Sequence, residues 1–227
     1  DDISLHVDYG ENLVVFGQSG SGKSVLLKCI IGLMRPEAGE IFIKDSPVLE
    51  LEVKELNAIR KNIGFLFQGA ALYDSMSVRE NLQFPLIKNF NFSQGELTEK
   101  VEHTLELVSL SEAIDKMPSE LSGGMKKRVG LARSIITDPE LMLYDEPTTG
   151  LDPITSKEIS ELILNLQNKL KMTSIVVTHD LVCAKIIADR AIFIRDAKIA
   201  HEGTIEELTA EKDSFLQNFF SNEIVAT

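Results

Sequence analysis

The chain has 227 residues, 44% hydrophobic and 26% charged, enough to bury a sizeable core as one domain with an inserted subdomain. A formal net charge of -12 argues against a nucleic-acid groove, because a phosphate-tracking surface needs a basic stripe. No apolar run approaches the roughly 20 residues of a bilayer-crossing helix, and no basic-then-apolar leader opens the chain. Any membrane function is therefore expected to come through a partner subunit. Cys29 and Cys183, the only cysteines, lack metal-ligand spacing and read as reduced, buried thiols of a cytosolic protein.

Ile3 to Val7 alternates like a half-exposed strand, and because Asp1-Asp2-Ile3-Ser4-Leu5 reads as a strand already in progress, the natural N-terminus is expected upstream. After a turn at Gly10, Leu13-Val14-Val15-Phe16 is a short continuous apolar run, the pattern of a buried parallel strand. It leads into Gly17-Gln18-Ser19-Gly20-Ser21-Gly22-Lys23-Ser24. Val25 to Met34 follows as a helix apolar on nearly all faces, hence central, ended by Arg35-Pro36-Glu37-Ala38-Gly39. Glu40 to Lys44 and Asn62 to Phe67 read as strands. From Met76 to Thr137 the pattern is helical, with Leu97, Val101, Leu105 and Val108 on one face. Strands resume at Leu141 to Tyr144, Ser174 to Thr178 and Ala191 to Ile194. Between them Ile159, Leu162, Ile163, Leu166 and Leu170 mark an amphipathic helix. Strands separated by helices imply a parallel sheet with crossovers. Near the end, Phe215, Leu216, Phe219 and Phe220 at near-helical spacing read as packing residues in preference to a dimer or partner contact.

The glycine loop carries the first chemistry. Glycines let consecutive backbone N–H groups point at a polyphosphate, and the helix starting near Lys23 adds its positive end. Lys23 is placed to neutralise the β- and γ-phosphates, and the Ser24 hydroxyl to take a Mg²⁺ position. The strand Leu141-Met142-Leu143-Tyr144 ends in two carboxylates with separate tasks: Asp145 to hold the Mg²⁺ shell and Glu146 to polarise the attacking water. A glycine loop alone leaves kinases, GTPases and motor ATPases open.

Leu121-Ser122-Gly123-Gly124-Met125 stands between that loop and the carboxylate pair, and with it the chain resembles the nucleotide-binding subunit of an ATP-binding cassette (ABC) transporter over essentially its whole length. The resemblance implies an α/β P-loop NTPase fold with a mostly parallel core sheet and an inserted helical subdomain. It divides the chain into a first core part (1–75), the helical subdomain (76–137), a second core part (138–206) and a helical tail (207–227). ATP and Mg²⁺ are the implied cofactors. Gln68 falls at the family's Q-loop, with a contact to Mg²⁺ or the attacking water and a coupling role. His179 matches the switch histidine, which contacts the γ-phosphate and helps position Glu146. Ser122, Gly123 and Gly124 open a second anion-binding helix end, used in the family by the ATP of a second copy arranged head to tail. Asp152 matches the D-loop, and is also a plausible helix N-cap ahead of Pro153. The family's adenine-stacking aromatic lies upstream of the first strand, before this sequence starts. His6, His103 and His201 have no such context.

Two stretches, from Gly64-Phe65-Leu66-Phe67-Gln68-Gly69-Ala70-Ala71-Leu72 through Leu82 and from Met117 through Met125, joined by Asp152-Pro153-Ile154-Thr155, are similar to the ATPase of Mla/Mce-type phospholipid transporters. That resemblance implies a polytopic permease and an Mce-class substrate-binding protein as partners, and a peripheral place on the cytoplasmic face of the inner membrane. A P-loop kinase would not explain the Leu-Ser-Gly-Gly segment. Soluble ABC ATPases acting on ribosomes or DNA usually join two such domains or insert a long coiled coil, which this chain does not. A single-domain ABC ATPase for lipoprotein release, cell division or cluster assembly stays open.

Overall fold

The computed structural model describes residues 2–18 and 20–225, with side chains to residue 221. Strand β1 (Asn12–Gly17) is buried at all six positions and runs into α1 (Lys23–Ile30). A short antiparallel hairpin, β2 (Phe42–Ile43) with β3 (Ser46–Pro47), precedes α2 (Val53–Arg60) and β4 (Ile63–Leu66). Next come α3 (Val78–Asn89), α4 (Gln94–Leu107) and α5 (Gly123–Ile135), with two 3₁₀ turns before α5. Ser77 and Ser93 start α3 and α4 through reciprocal bonds with Glu80 and Glu96, so both helices are bounded by local sequence. The chain then alternates through β5 (Leu141–Asp145), α6 (Pro153–Leu170), β6 (Thr173–Val177), α7 (Leu181–Ile187), β7 (Arg190–Arg195), β8 (Lys198–Gly203), α8 (Ile205–Ala210) and α9 (Ser214–Val225).

The main sheet has the order β4-β5-β6-β1-β7-β8, parallel throughout except for the last pair. Because strand side chains alternate, β1 divides its residues between two cores. Val14 and Phe16 join Met142, Tyr144, Val176 and Phe193 under the helices that include α5 to α7. Leu13 and Val15 face the other way, with Leu143, Val177 and Ile192 against Leu27 and Ile30 of α1. The terminal aromatics are core: Leu216 and Phe220 are 1% and 4% exposed, and Phe219 and Phe220 meet Phe16 edge-on with ring centroids 6.2 and 5.3 Å away. Among the described residues no helix is long and apolar enough to cross a membrane.

Three expectations are corrected. Ile3 to Val7 keeps its alternating exposure, with Ile3, Leu5 and Val7 against the second core, but it joins no ladder: alternation reports one-sided burial, and pairing needs a neighbour. The helix expected to reach Met34 stops at Ile30, and it is not apolar on nearly all faces towards the core: Val25, Leu33 and Met34 are 45%, 54% and 44% exposed, while Leu27 and Ile30 pack on β1 and β5. The strand expected over Glu40 to Lys44 shrinks to the two residues of β2, whose Phe42 is 57% exposed. Strand β8 escaped the sequence because its exposure alternates on an edge and it follows a tight turn with Asp196 and Ala197 both at positive φ.

Candidate functional site

The site lies at the C-terminal end of β1, where α1 begins and the sheet's central crossovers diverge, the usual ligand position in an open α/β sheet. A cavity of about 780 Å³ opens there, lined by Gly17, Gln18, Gly20, Gly22, Lys23, Ser24, Val25, Gln68, Glu146, His179 and Phe219. Gly22 is the N-cap of α1 at φ 92, a conformation that favours glycine, and it carries no capping side chain, leaving the first amides of the helix open to an anion. Gly17 is needed for space: an added Cβ would sit 2.7 Å from the Ile194 carbonyl and 2.6 Å from Ser21 Oγ. Ser21 Oγ is buried without a hydrogen-bond partner, and Ser19 lies outside the described residues.

Lys23 is 8% exposed, and its ammonium donates to the carbonyls of Gly17 at 2.6 Å and Gln18 at 3.0 Å, across the loop a polyphosphate would fill. Burial pulls its pKa down, while the carboxylates of Glu146 and Asp145 oppose that fall. Ser24 Oγ donates to Asp145 Oδ1 at 2.7 Å, so hydroxyl and carboxylate already stand within one ion's coordination sphere. One carboxylate and one hydroxyl is a set that suits magnesium, which keeps water and takes phosphate oxygens for the rest of its shell. Among the described residues there is no cluster of three His, Cys, Asp or Glu side chains that could hold a metal by themselves.

Glu146 follows β5 at φ 52, a strained left-handed conformation for a non-glycine residue. Its amide donates to the Val177 carbonyl at 2.9 Å, which ties the turn to β6. The carboxylate is bracketed: His179 Nδ1 lies 2.7 Å from Oε2, and Thr149 Oγ1 donates to the same oxygen at 3.2 Å. The Glu146 side chain is 13% exposed and that of His179 48%, so the pair sits at the cavity wall with the imidazole on the open side. Gln68, two residues past the end of β4, lines the same cavity, and its carbonyl accepts a bond from buried Lys127.

Ser122, Gly123 and Gly124 are elsewhere. They start α5 with Ser122 Oγ accepting from the Met125 amide at 3.3 Å, and none of them lines their own chain's cavity. Gly124 also has a packing reason, since a Cβ there would come within 2.8 Å of Thr155 Cγ2. Asp152 caps α6 by accepting from the amides of Ile154 and Thr155, both at 3.1 Å, and from the Thr155 hydroxyl at 2.6 Å. These bonds, the Thr155 hydroxyl first, hold its carboxyl below the usual range.

Sequence reasoning missed Phe219, which lines the cavity from α9, and Lys127 and Thr149, which brace Gln68 and Glu146. Phe219 sits in a run that looks like core filler, and Lys127 in the basic run Lys126-Lys127-Arg128, so neither carried a local signal. Cys183 is fully buried, and burial above all pushes its thiol up to about 12, which leaves it inert.

A glycine loop feeding a helix from the centre of a parallel sheet, opposite a strand ending in Asp-Glu, defines a P-loop nucleotide hydrolase. The chain belongs to the ABC transporter family, whose model matches residues 1–149, and it is an ATP-binding, ATP-hydrolysing cassette. It is 41% identical to the intermembrane phospholipid transport system ATP-binding protein MlaF of Haemophilus influenzae, over 98% of this chain and 84% of that protein. The chloroplastic protein TRIGALACTOSYLDIACYLGLYCEROL 3 of Arabidopsis thaliana is 39% identical over 98% of this chain and 69% of its own. The probable ribonucleotide transport ATP-binding protein mkl of Mycobacterium leprae is 38% identical, and the chain spans 64% of its length. Among solved structures, the dimeric ADP- and phosphate-bound post-hydrolysis state of the ATP-binding cassette MJ0796 aligns with TM-score 0.82 and 33% identity, over 90% of this chain and 89% of that one.

Proposed function

We propose that two copies of this chain close head to tail over two Mg-ATP and drive a polytopic permease that moves phospholipid between membranes. In this reading the chain sits on the cytoplasmic face of the inner membrane and works with an Mce-class binding protein. Residues 76–137 form the helical subdomain inserted between core parts 1–75 and 138–206, with 207–227 as tail. The observation that carries the lipid assignment is the 41% identity with a phospholipid-transport ATPase over nearly the whole chain, together with the two motif stretches around Gln68 and Ser122.

The hydrolytic roles rest on the geometry. Backbone amides of the glycine loop, from Gly17 through Gln18, Ser19, Gly20, Ser21 and Gly22, cradle the β- and γ-phosphates, and Lys23 turns from the Gly17 carbonyl to pair with them. Ser24, Asp145 and Gln68 hold Mg²⁺, which when bound would neutralise charge building on the transferred phosphoryl group. Glu146, held by His179 and Thr149, accepts the proton of the attacking water, and the strained turn at φ 52 aims its carboxylate at the cavity. Ser122, Gly123 and Gly124 complete the site of the second copy, and Asp152 lies along that junction.

A second reading follows from the mycobacterial relative named as a ribonucleotide transporter. Both are tested by affinity purification from mildly solubilised native membranes, with mass spectrometry of proteins and lipids. A polytopic permease, an Mce-class protein and bound phospholipid are expected. A different permease class, or only soluble partners, would overturn the cargo assignment.

A further inference from the structure

We propose that Lys127 is a positioning residue that ties the signature helix to both hydrolytic loops of its own chain, so that engagement of one ATP at Ser122 is transmitted to the carboxylate acting on the other. The transmission half of this inference rests on the head-to-tail reading above.

Lys127 is 5% exposed, and its ammonium donates to two main-chain carbonyls, Gln68 O and, at 3.2 Å, Glu146 O. One side chain thereby joins three separate segments: the first turns of α5, the loop after β4 and the turn after β5. Neither carbonyl is held by a sheet ladder: β4 ends at Leu66 and β5 at Asp145. Removing the donor leaves the part-buried Gln68 carbonyl to find a new partner and the Glu146 carbonyl with only the Thr149 amide, at 3.3 Å.

Lys127 also belongs to a stripe. At i, i+3 and i+6 on α5 stand Lys127, Gly130 and Arg133, one face of the helix. A Cβ at Gly130 would come within 2.8 Å of Ala70 Cβ, so the loop after Gln68 lies directly on the helix. Arg133 donates at 2.8 Å to the carbonyls of both Ala70 and Ala71, consecutive non-glycine residues at φ 59 and 49. That loop is thus bent into an unfavourable conformation and clamped there by the signature helix. Within the stripe only Lys127 reaches across to β5. If α5 shifts when Ser122 meets a nucleotide, Gln68 moves with it and Glu146 is pulled through its own carbonyl.

The test compares wild type, Lys127→Met and Lys127→Arg in the purified full chain, reading kcat, KM and Hill coefficient for ATP, and Kd for a fluorescent ATP analogue. Methionine keeps the length and loses the donors; arginine keeps them. A fall in kcat of about 10- to 100-fold, the range for a misplaced catalytic group, is expected for Lys127→Met, with nucleotide Kd unchanged, the Hill coefficient reduced to one, and recovery in Lys127→Arg. Wild-type kcat and Hill coefficient in Lys127→Met would overturn the proposal, as would a parallel loss of Kd and kcat in both variants. Should Lys127→Met fail to fold, Lys127→Gln, with one donor group, replaces it: kcat below that of Lys127→Arg at equal Kd supports the proposal, and equal kcat overturns it. ATP-driven dimerisation of Glu146→Gln, read by gel filtration, separates the two failures. A dimer with an indifferent Lys127 sinks the latch alone, whereas a persistent monomer sinks the head-to-tail reading and the transmission with it.

Discussion

The two helix starts proposed to meet phosphate, those of α1 and α5, are built differently. At α1, Gly22 carries no capping side chain, and the open amides face a cavity furnished by the same chain with Lys23, Ser24, Glu146 and His179. At α5, Ser122 caps its own helix and faces none of those groups. The first helix end is most of a site, because sheet connectivity brings β1, β4, β5 and β6 to one edge. The second lies apart from those groups in its own chain, and in the head-to-tail reading proposed above a second copy supplies the rest of its site.

The largest effect that bears on this contrast comes from the first half. Glu146→Gln should lower the rate of phosphate release by about 10²- to 10⁴-fold, the worth of a general base, while a filter-binding assay finds ATP held as before. Hydrolysis within a few-fold of wild type would show that another group takes the proton. Next, Lys23→Ala should lose ATP binding and Ser122→Arg should keep it, each being inactive alone. Mixing the two should recover activity that neither has, because a mixed dimer contains one composite site from the intact halves. Failure to recover would put the signature helix out of the hydrolytic site.

Smaller effects separate structure from chemistry. Asp152→Ala should cost about 1 kcal/mol through loss of the α6 cap, or roughly 2–4 °C in Tm for a domain of this size. An activity loss beyond that destabilisation would assign Asp152 to the junction as well. The smallest effect lies behind the first helix end. Asp213 caps α9, the helix bearing Phe219, by accepting from the Leu216 and Phe215 amides, and pairs with Arg195 and His201. Those bonds, the Leu216 amide first, lower its pKa from 3.8 to about 2. A depressed carboxylate stabilises the fold above its unfolded pKa and loses that contribution as pH falls through the folded one. The Tm gap between wild type and Asp213→Asn should therefore be constant above about pH 4 and close towards pH 2, and a gap that persists at pH 2 would locate the stabilisation elsewhere.

Much of the site could be read in advance because its parts are local. The glycine loop needs glycines for backbone approach and space, the β5 strand ends in Asp145-Glu146, and the α5 start carries Ser122, so adjacent residues announce each one. The same holds for the helices begun by Ser77 and Ser93. Elements depending on neighbours were misjudged: Ile3 to Val7 alternates without a ladder, and β8 is a strand on an edge with an ordinary polar composition.

The sequence alone determined the class of chemistry, because a polyphosphate loop, a carboxylate pair and a second helix start are written as short contiguous strings whose spacing sets their secondary structure. Only the tertiary structure decided who supports them. Lys127 lies 59 residues from Gln68 and 19 from Glu146, and Arg190 and Glu11, an ion pair across the sheet, lie 179 apart. Phe219 reaches the nucleotide cavity from the last helix only because Phe16 and Phe193 sit side by side on paired parallel strands. Such contacts carry no periodicity and no motif, since the chain's path through the sheet, and not its local composition, brings the partners together.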